Sequence, residues 1–172
     1  MIVLLTRTVR VEIRPSAEQA SALLALQPLV TAAYNDAAAY AFEHPEVKGA
    51  VALHHAVYRR LRAQYGLPAQ FVCNVQRLAM GSVAAIRKRL TEVSCPHADR
   101  LPIPYDARTM ALRPDRRTVS LTTLGKRIEV LVRKHQRLEH YASWQTDSGK
   151  VACGKDGRFW LSLTFTREAA VP

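Results

Sequence analysis

At 172 residues with 48% apolar side chains, the chain is long and apolar enough for one folded domain, or for a core carrying one large insertion, which excludes an intrinsically unfolded polypeptide. Twenty-five Lys plus Arg against 14 Asp plus Glu give a net charge of +11. That balance favours a polyanionic partner, most often nucleic acid, although a basic ribosome-associated or membrane-surface protein has the same composition.

Met1 to Leu5 is apolar but meets Thr6-Arg7-Thr8 without a small-residue cleavage site, so it is not read as a signal peptide. No later run has the length to cross a bilayer, and no membrane partner is expected. Cys73, Cys95 and Cys153 are odd in number and far apart, which suits reduced thiols in a cytoplasm better than a disulfide framework.

Thr8 to Arg14 alternates, with Val9, Val11 and Ile13 on one face, and predicts a strand that Pro15 ends. Ser16, followed three residues later by Gln19, resembles a capping box opening a helix. Helical spacing then continues from Leu23 to about His44, and Pro28 inside it is expected to kink or split the helix. A second helix is expected from about Lys48 to Tyr65 and a third from about Ala69 to Thr91, with Gly66-Leu67-Pro68 between them. On the third helix Phe71, Val75, Leu78, Ser82, Ile86 and Leu90 share one side and are expected to form core. Gln70, Asn74, Arg77, Gly81 and Lys88 cluster on another side as a polar ribbon, with a glycine where a backbone can approach closely.

Ser94 to Asp99 reads as a linker returning the chain to β structure. Thr118 to Thr122 turns Val119 and Leu121 inward, and Arg127 to Val132 turns Ile128, Val130 and Val132 inward. Gly154-Lys155-Asp156-Gly157 is a turn signal between Lys150–Cys153 and Arg158–Thr166, whose Phe159, Leu161, Leu163 and Phe165 alternate cleanly. Strand, about three helices, then four or five strands predict an α+β fold. A small antiparallel β-barrel would form from the first strand and the C-terminal strands, interrupted by a helical insertion. The expected divisions are 1–15 for the first barrel strand, 16–95 for the insertion and 96–172 for the rest of the barrel.

The cations fall in local groups: Arg59, Arg60 and Arg62; Arg87, Lys88 and Arg89; Arg113, Arg116 and Arg117; Lys126 and Arg127; Arg133, Lys134 and Arg137. Such side chains displace condensed counterions and hold a phosphate backbone without reading sequence. A solvated surface accounts for any one group; it accounts less well for the total excess. Tyr58, Tyr65, Tyr105, Tyr141 and Trp144 are candidates for stacking on unpaired bases, with core packing the alternative for each. Cys95-Pro96-His97 lacks a second ligand pair at zinc spacing, so no metal site is assigned. His54, His55, His135 and His140 belong to no catalytic motif, Cys73 lies near the apolar stripe of its helix, and no glycine-rich phosphate loop is present. No catalytic residue and no cofactor are assigned.

Several segments, in order, resemble the amino-terminal half of the OrfB/TnpB family of insertion-sequence proteins, compact RNA-guided nucleases related to type V CRISPR effectors. They are Thr8 to Pro15 followed by Glu18-Gln19; Tyr34-Asn35; YGLPAQFVCNVQRLAMGSVAAIRKR from Tyr65; IPYDARTMAL from Ile103; VSLTTLGKRIEVLV from Val119; and GRFWLSLTFT from Gly157. The resemblance implies a wedge-type barrel with a helical recognition insertion, gripping a structured guide RNA and its target heteroduplex mainly through backbone shape. It implies that Gln70, Asn74, Arg77 and Lys88 face nucleic acid, with Arg113, Arg116, Arg117, Lys126 and Arg127 as barrel-side contacts; the basic pair Arg133 and Lys134 is added to these. The family's nuclease domain follows the last barrel strand, whereas this sequence reaches only Pro172, so no acidic metal triad has a position here. The expectation is a cytoplasmic nucleic-acid-binding module that is not an enzyme. Its expected partners are a structured guide-type RNA, target DNA and a separate nuclease half. The alternatives are an inert or protein-docking remnant of an insertion-sequence transposase, or a separately encoded half that pairs with a nuclease domain.

Overall fold

The computed structural model describes residues 1–89 and 93–170. The strand predicted by Val9, Val11 and Ile13 spans Ile2–Arg14 (β1), followed by helices α1 (Ala17–Glu43), α2 (Ala50–Tyr65) and α3 (Ala69–Arg87). The chain then forms β2 (Ile103–Asp106), β3 (Met110–Arg113), β4 (Thr118–Thr122), β5 (Arg127–Val132), a short α4 (Gln136–His140), β6 (Gln145–Cys153) and β7 (Phe159–Ala170). The fold is α+β, with one antiparallel seven-stranded sheet in the order β2-β6-β7-β1-β5-β4-β3, nearly closed into a barrel. Two compact units divide the chain: Met1–Leu24 with Pro102–Pro172, and Ala25–Leu101.

In the barrel unit, β1 pairs with β7 from Ile2↔Ala170 to Ile13↔Phe159 and reaches β5 only at Ile13↔Val132 and Arg14↔Leu131. Val9, Val11 and Ile13 on β1 and Leu161, Leu163 and Phe165 on β7 are each 2% exposed or less. Burial of each such side chain stabilises by about 1.5–3 kcal/mol relative to exposure. At Gly149 of β6 an added Cβ would lie 2.8 Å from Met110 Sδ and 3.1 Å from the Ser162 carbonyl oxygen, so the glycine lets the Met110 side chain of β3 lie close against β6. The buried Tyr105 hydroxyl donates to the Thr122 carbonyl at 3.0 Å, and burial pushes its pKa well above the ordinary tyrosine value.

The capping box forms as the sequence predicts: the Ser16 N–H donates to Gln19 Oε1 at 3.0 Å and the Gln19 N–H donates to Ser16 Oγ at 3.2 Å. Gln19 Nε2 also donates to the Glu129 carbonyl at 2.9 Å, tying the start of α1 to β5.

Of the expected kink or split at Pro28, the split does not occur: α1 is one helix through it. Proline removes the hydrogen bond to the carbonyl four residues back, that of Leu24, and both Pro28 and Leu24 are exposed, where water can serve the freed carbonyl. On the buried side of α1, Gln27, Thr31 and Asn35 form a row at four-residue spacing that holds the returning chain. Asn35 Nδ2 donates to the Ala98 carbonyl and the Ala98 N–H donates to Asn35 Oδ1, both at 2.9 Å. The Leu101 N–H donates to Thr31 Oγ1 at 3.0 Å, and Gln27 Nε2 donates to the Leu101 carbonyl at 3.1 Å. Gly66 closes α2 at φ 61, a left-handed conformation that glycine adopts without a Cβ penalty, and its N–H donates to the Arg62 carbonyl.

The α3 core differs from the expected stripe. Phe71 and Val75 are buried as predicted, but Val72, Ala79, Met80 and Val83 join them, while Leu78, Ser82 and Ile86 are only half-buried. At about 100° per residue the buried positions sweep about 240° of the helix, because its first half is enclosed on several sides. The helix ends at Arg87, with Lys88 as its cap, short of the expected Thr91; Leu90 and Thr91 lie outside the described residues.

Replacing Asn35 by Ala strips Ala98 of both backbone partners. We expect a loss of about 1–3 kcal/mol, read as a lower urea midpoint at unchanged slope. A midpoint equal to that of the parent protein would contradict the clamp.

Candidate nucleic-acid interface

The hairpin β3–β4 is turned by a single 3₁₀ turn at Pro114–Arg116, after which Arg117 takes a left-handed conformation with φ 51. Its backbone is held on both sides: the Arg117 N–H donates to the Pro114 carbonyl at 3.2 Å, and the Val132 N–H donates to the Arg117 carbonyl at 2.8 Å. The second bond, together with the pairing Thr118↔Leu131, sets this turn beside the end of β5, where Arg133 and Lys134 follow Val132. His135 caps the short α4 by accepting from the Arg137 N–H at 3.2 Å, and Tyr141 and Trp144 follow that helix.

These pieces surround a cavity of about 450 Å³. Leu112, Val132, Leu138 and Phe165 supply apolar walls; Tyr141 and Trp144 supply rings; Arg113, Arg117, Arg133 and Lys134 supply positive charge against the single carboxylate Glu139. The Tyr141 ring lies nearly parallel to Phe165 at 5.6 Å, and Trp144 meets Tyr141 edge-to-face at 5.0 Å. The Arg167 guanidinium lies over Trp144, 4.8 Å from the ring centroid.

The cations differ in how they are already neutralised. Arg133 pairs with Glu12 at 2.8 Å, Lys134 meets Glu139 at 3.9 Å, and Arg113 stands 4.0 Å from Glu129. Among the described residues, Arg117 makes no ion pair. Arg116, in the same turn, does not line the cavity; it lies 3.7 Å from Asp115 and 4.0 Å from Glu129.

The remaining barrel cations lie elsewhere. Lys126 and Arg127 line a separate cleft of about 300 Å³ that also contains Glu18 and Glu129, so two cations face two carboxylates. Lys126 Nζ donates to Glu18 at 2.9 Å and holds that carboxyl below its usual range. Such a balanced cleft has little net attraction for an anion.

On α3, Arg77, Gly81 and Lys88 are exposed and Gln70 is half-buried, whereas Asn74 is buried at 5% exposure and does not belong to the exposed ribbon. It lies at the edge of the wide buried arc, about 60° from Phe71. Its side-chain amide nitrogen and oxygen, and Gln76 Nε2, are buried without a hydrogen-bond partner.

Other candidates have local roles. Tyr105 is core, Tyr65 donates to Asp36 at 3.1 Å, and Tyr58 stacks on His54 at 4.4 Å. Of the five aromatic candidates, only Tyr141 and Trp144 line the cavity with the predicted cations. His54 Nδ1 lies 4.0 Å from Cys73 Sγ but 3.0 Å from Gln76 Oε1. A nitrogen donating to that carbonyl cannot take the thiol proton. Burial, reinforced by Glu43, pushes the Cys95 thiol above its usual range, the reverse of an activated nucleophile. Among the described residues no three His, Cys, Asp or Glu side chains are grouped to hold a metal ion. Among the described residues no helix is long and apolar enough to cross a membrane. No family model and no curated protein matches the chain.

What the sequence did not single out is the apolar wall: Phe165 read only as an inward position of its strand, while Leu112 and Leu138 lie in elements of four and five residues, too short to show a period.

Because the Asn74 amide is buried and unpaired, Asn74→Leu should raise stability by about 1–2 kcal/mol in denaturant titration and leave RNA affinity unchanged. A variant that loses RNA affinity while staying folded would restore Asn74 to the binding surface.

Proposed function

We propose that this chain is a nucleic-acid-binding module that holds structured RNA on its barrel, as the ordered resemblance to the OrfB/TnpB amino-terminal half suggests. The observation that carries this reading is the convergence of Arg113, Arg117, Arg133 and Lys134 with Tyr141 and Trp144 on one concave opening. Cations supply affinity by releasing counterions, and rings accept unpaired bases, so the combination suits single-stranded or looped RNA. The proposed setting is cytoplasmic. The partners are a guide-type RNA, with target DNA engaged alongside it and a separate nuclease half supplying any cleavage. In this reading the chain itself binds without catalysis; Arg133 and Lys134 at the opening are ion-paired and His135 caps α4.

RNA that co-purifies with the tagged protein from its native host should be dominated by one structured species. The logarithm of its binding constant should fall linearly with the logarithm of salt concentration, and neutralising Arg113, Arg117, Arg133 and Lys134 together should reduce that slope by about 3, at about 0.7–0.9 per lost phosphate contact. The same exchange at Lys126 and Arg127 should change it far less. An unchanged slope in the fourfold variant, or no preference for RNA over heparin, would sink the proposal.

A further inference from the structure

We infer that the cavity behind Arg117 receives a single unpaired nucleotide, its base against Tyr141 and Trp144 and its phosphate on the Arg117 guanidinium. This inference rests on the RNA-binding reading above and assigns to it a specific subsite.

Three observations carry it. The first is the chemistry of the walls. The opening is apolar and aromatic inside and cationic at Arg113, Arg117, Arg133 and Lys134, with Glu139 the only lining carboxylate. A nucleotide has the complementary division, a flat apolar-faced base joined to an anion. The second is size: about 450 Å³ is within the ~300–1,000 Å³ range of small-ligand sites. It admits one base with its sugar, whereas paired duplex presents only its outer backbone to such an opening.

The third is the conformation of Arg117. Its φ of 51 is the only positive value at a non-glycine position among the described residues, while Gly49, Gly66 and Gly157 occupy the others. A left-handed backbone places Cβ against the carbonyl oxygen, so glycine or asparagine is the stable choice for a turn of this kind. Arginine persists here because two backbone hydrogen bonds fix the turn. It also remains without a carboxylate partner, unlike Arg113, Arg133 and Lys134. A strained position given to a long, unneutralised cation at the lip of a concave site is better explained by a ligand anion than by folding.

The test uses the full chain with Trp160→Phe, so that Trp144 is the sole tryptophan emitter. A short 5′-phosphorylated oligouridylate should quench Trp144 emission by half or more at saturation, and the same oligomer carrying abasic sugars should bind at least tenfold more weakly. Arg117→Gly should weaken binding of the oligouridylate at least fivefold while leaving the thermal midpoint unchanged or higher, an opposition that damage to the fold does not produce. RNA that binds with full salt dependence but leaves Trp144 emission unchanged would overturn the subsite and leave the RNA-binding reading standing. An acidic peptide that quenches Trp144 as strongly as the oligouridylate would overturn the nucleotide assignment. Absence of RNA binding by the parent protein would remove both.

Discussion

The pairing of β1 with β7 is the constraint on which the rest of the barrel depends. It runs from Ile2↔Ala170 to Ile13↔Phe159 and joins stretches at opposite ends of the sequence, so everything between them is carried as one closed excursion. Closing such a loop costs entropy that grows only slowly with length, about 0.6 kcal/mol per doubling, so the sheet tolerates a helical unit of this size in its first connection. In return β1 supplies a strand with neighbours on both sides, β7 along its length and β5 at its end. Without it the remaining strands would fall into two groups with exposed edges.

The same register builds the opening. Once β5 is fixed beside β1 at Ile13↔Val132, its pairing with β4 fixes where the β3–β4 turn lies. The Val132 N–H then bonds the Arg117 carbonyl, and cations that are 16 residues apart in sequence, Arg117 and Arg133, line one cavity. The positive charge of this opening is therefore a product of strand register, and a one-residue slip would turn its apolar walls outward. Three of its four cations are neutralised in part by nearby carboxylates, so attraction for a polyanion concentrates at Arg117 and the overall excess of +11 acts as a longer-range field.

Much of the fold was legible because local chemistry and global position agree. The alternation of Val9, Val11 and Ile13, the Ser16–Gln19 box and the 154–157 turn each determine their element by short-range rules, and each appears where those rules put it. The misreadings arise where tertiary surroundings override them. Pro28 is accommodated because its freed carbonyl is on an exposed side; β2 and β3 are four residues each, too short to show a period, so six strands follow the helices instead of four or five. Asn74 is polar yet buried because α3 is enclosed over a wider arc than a single stripe predicts. For the site, the cation groups were visible as clusters, but which of them share an opening was not. Arg116 and Arg117 are adjacent in sequence, and only the left-handed turn separates the one that pairs with Asp115 from the one that faces the cavity.

The most direct test of this account is ultraviolet crosslinking of bound RNA to the full chain, followed by peptide mapping. Crosslinks concentrated at Tyr141 and Trp144 would place unpaired bases in the opening, as predicted from its rings and cations. Crosslinks confined to the exposed face where Arg10 covers Trp160, or to the helical unit, would contradict it.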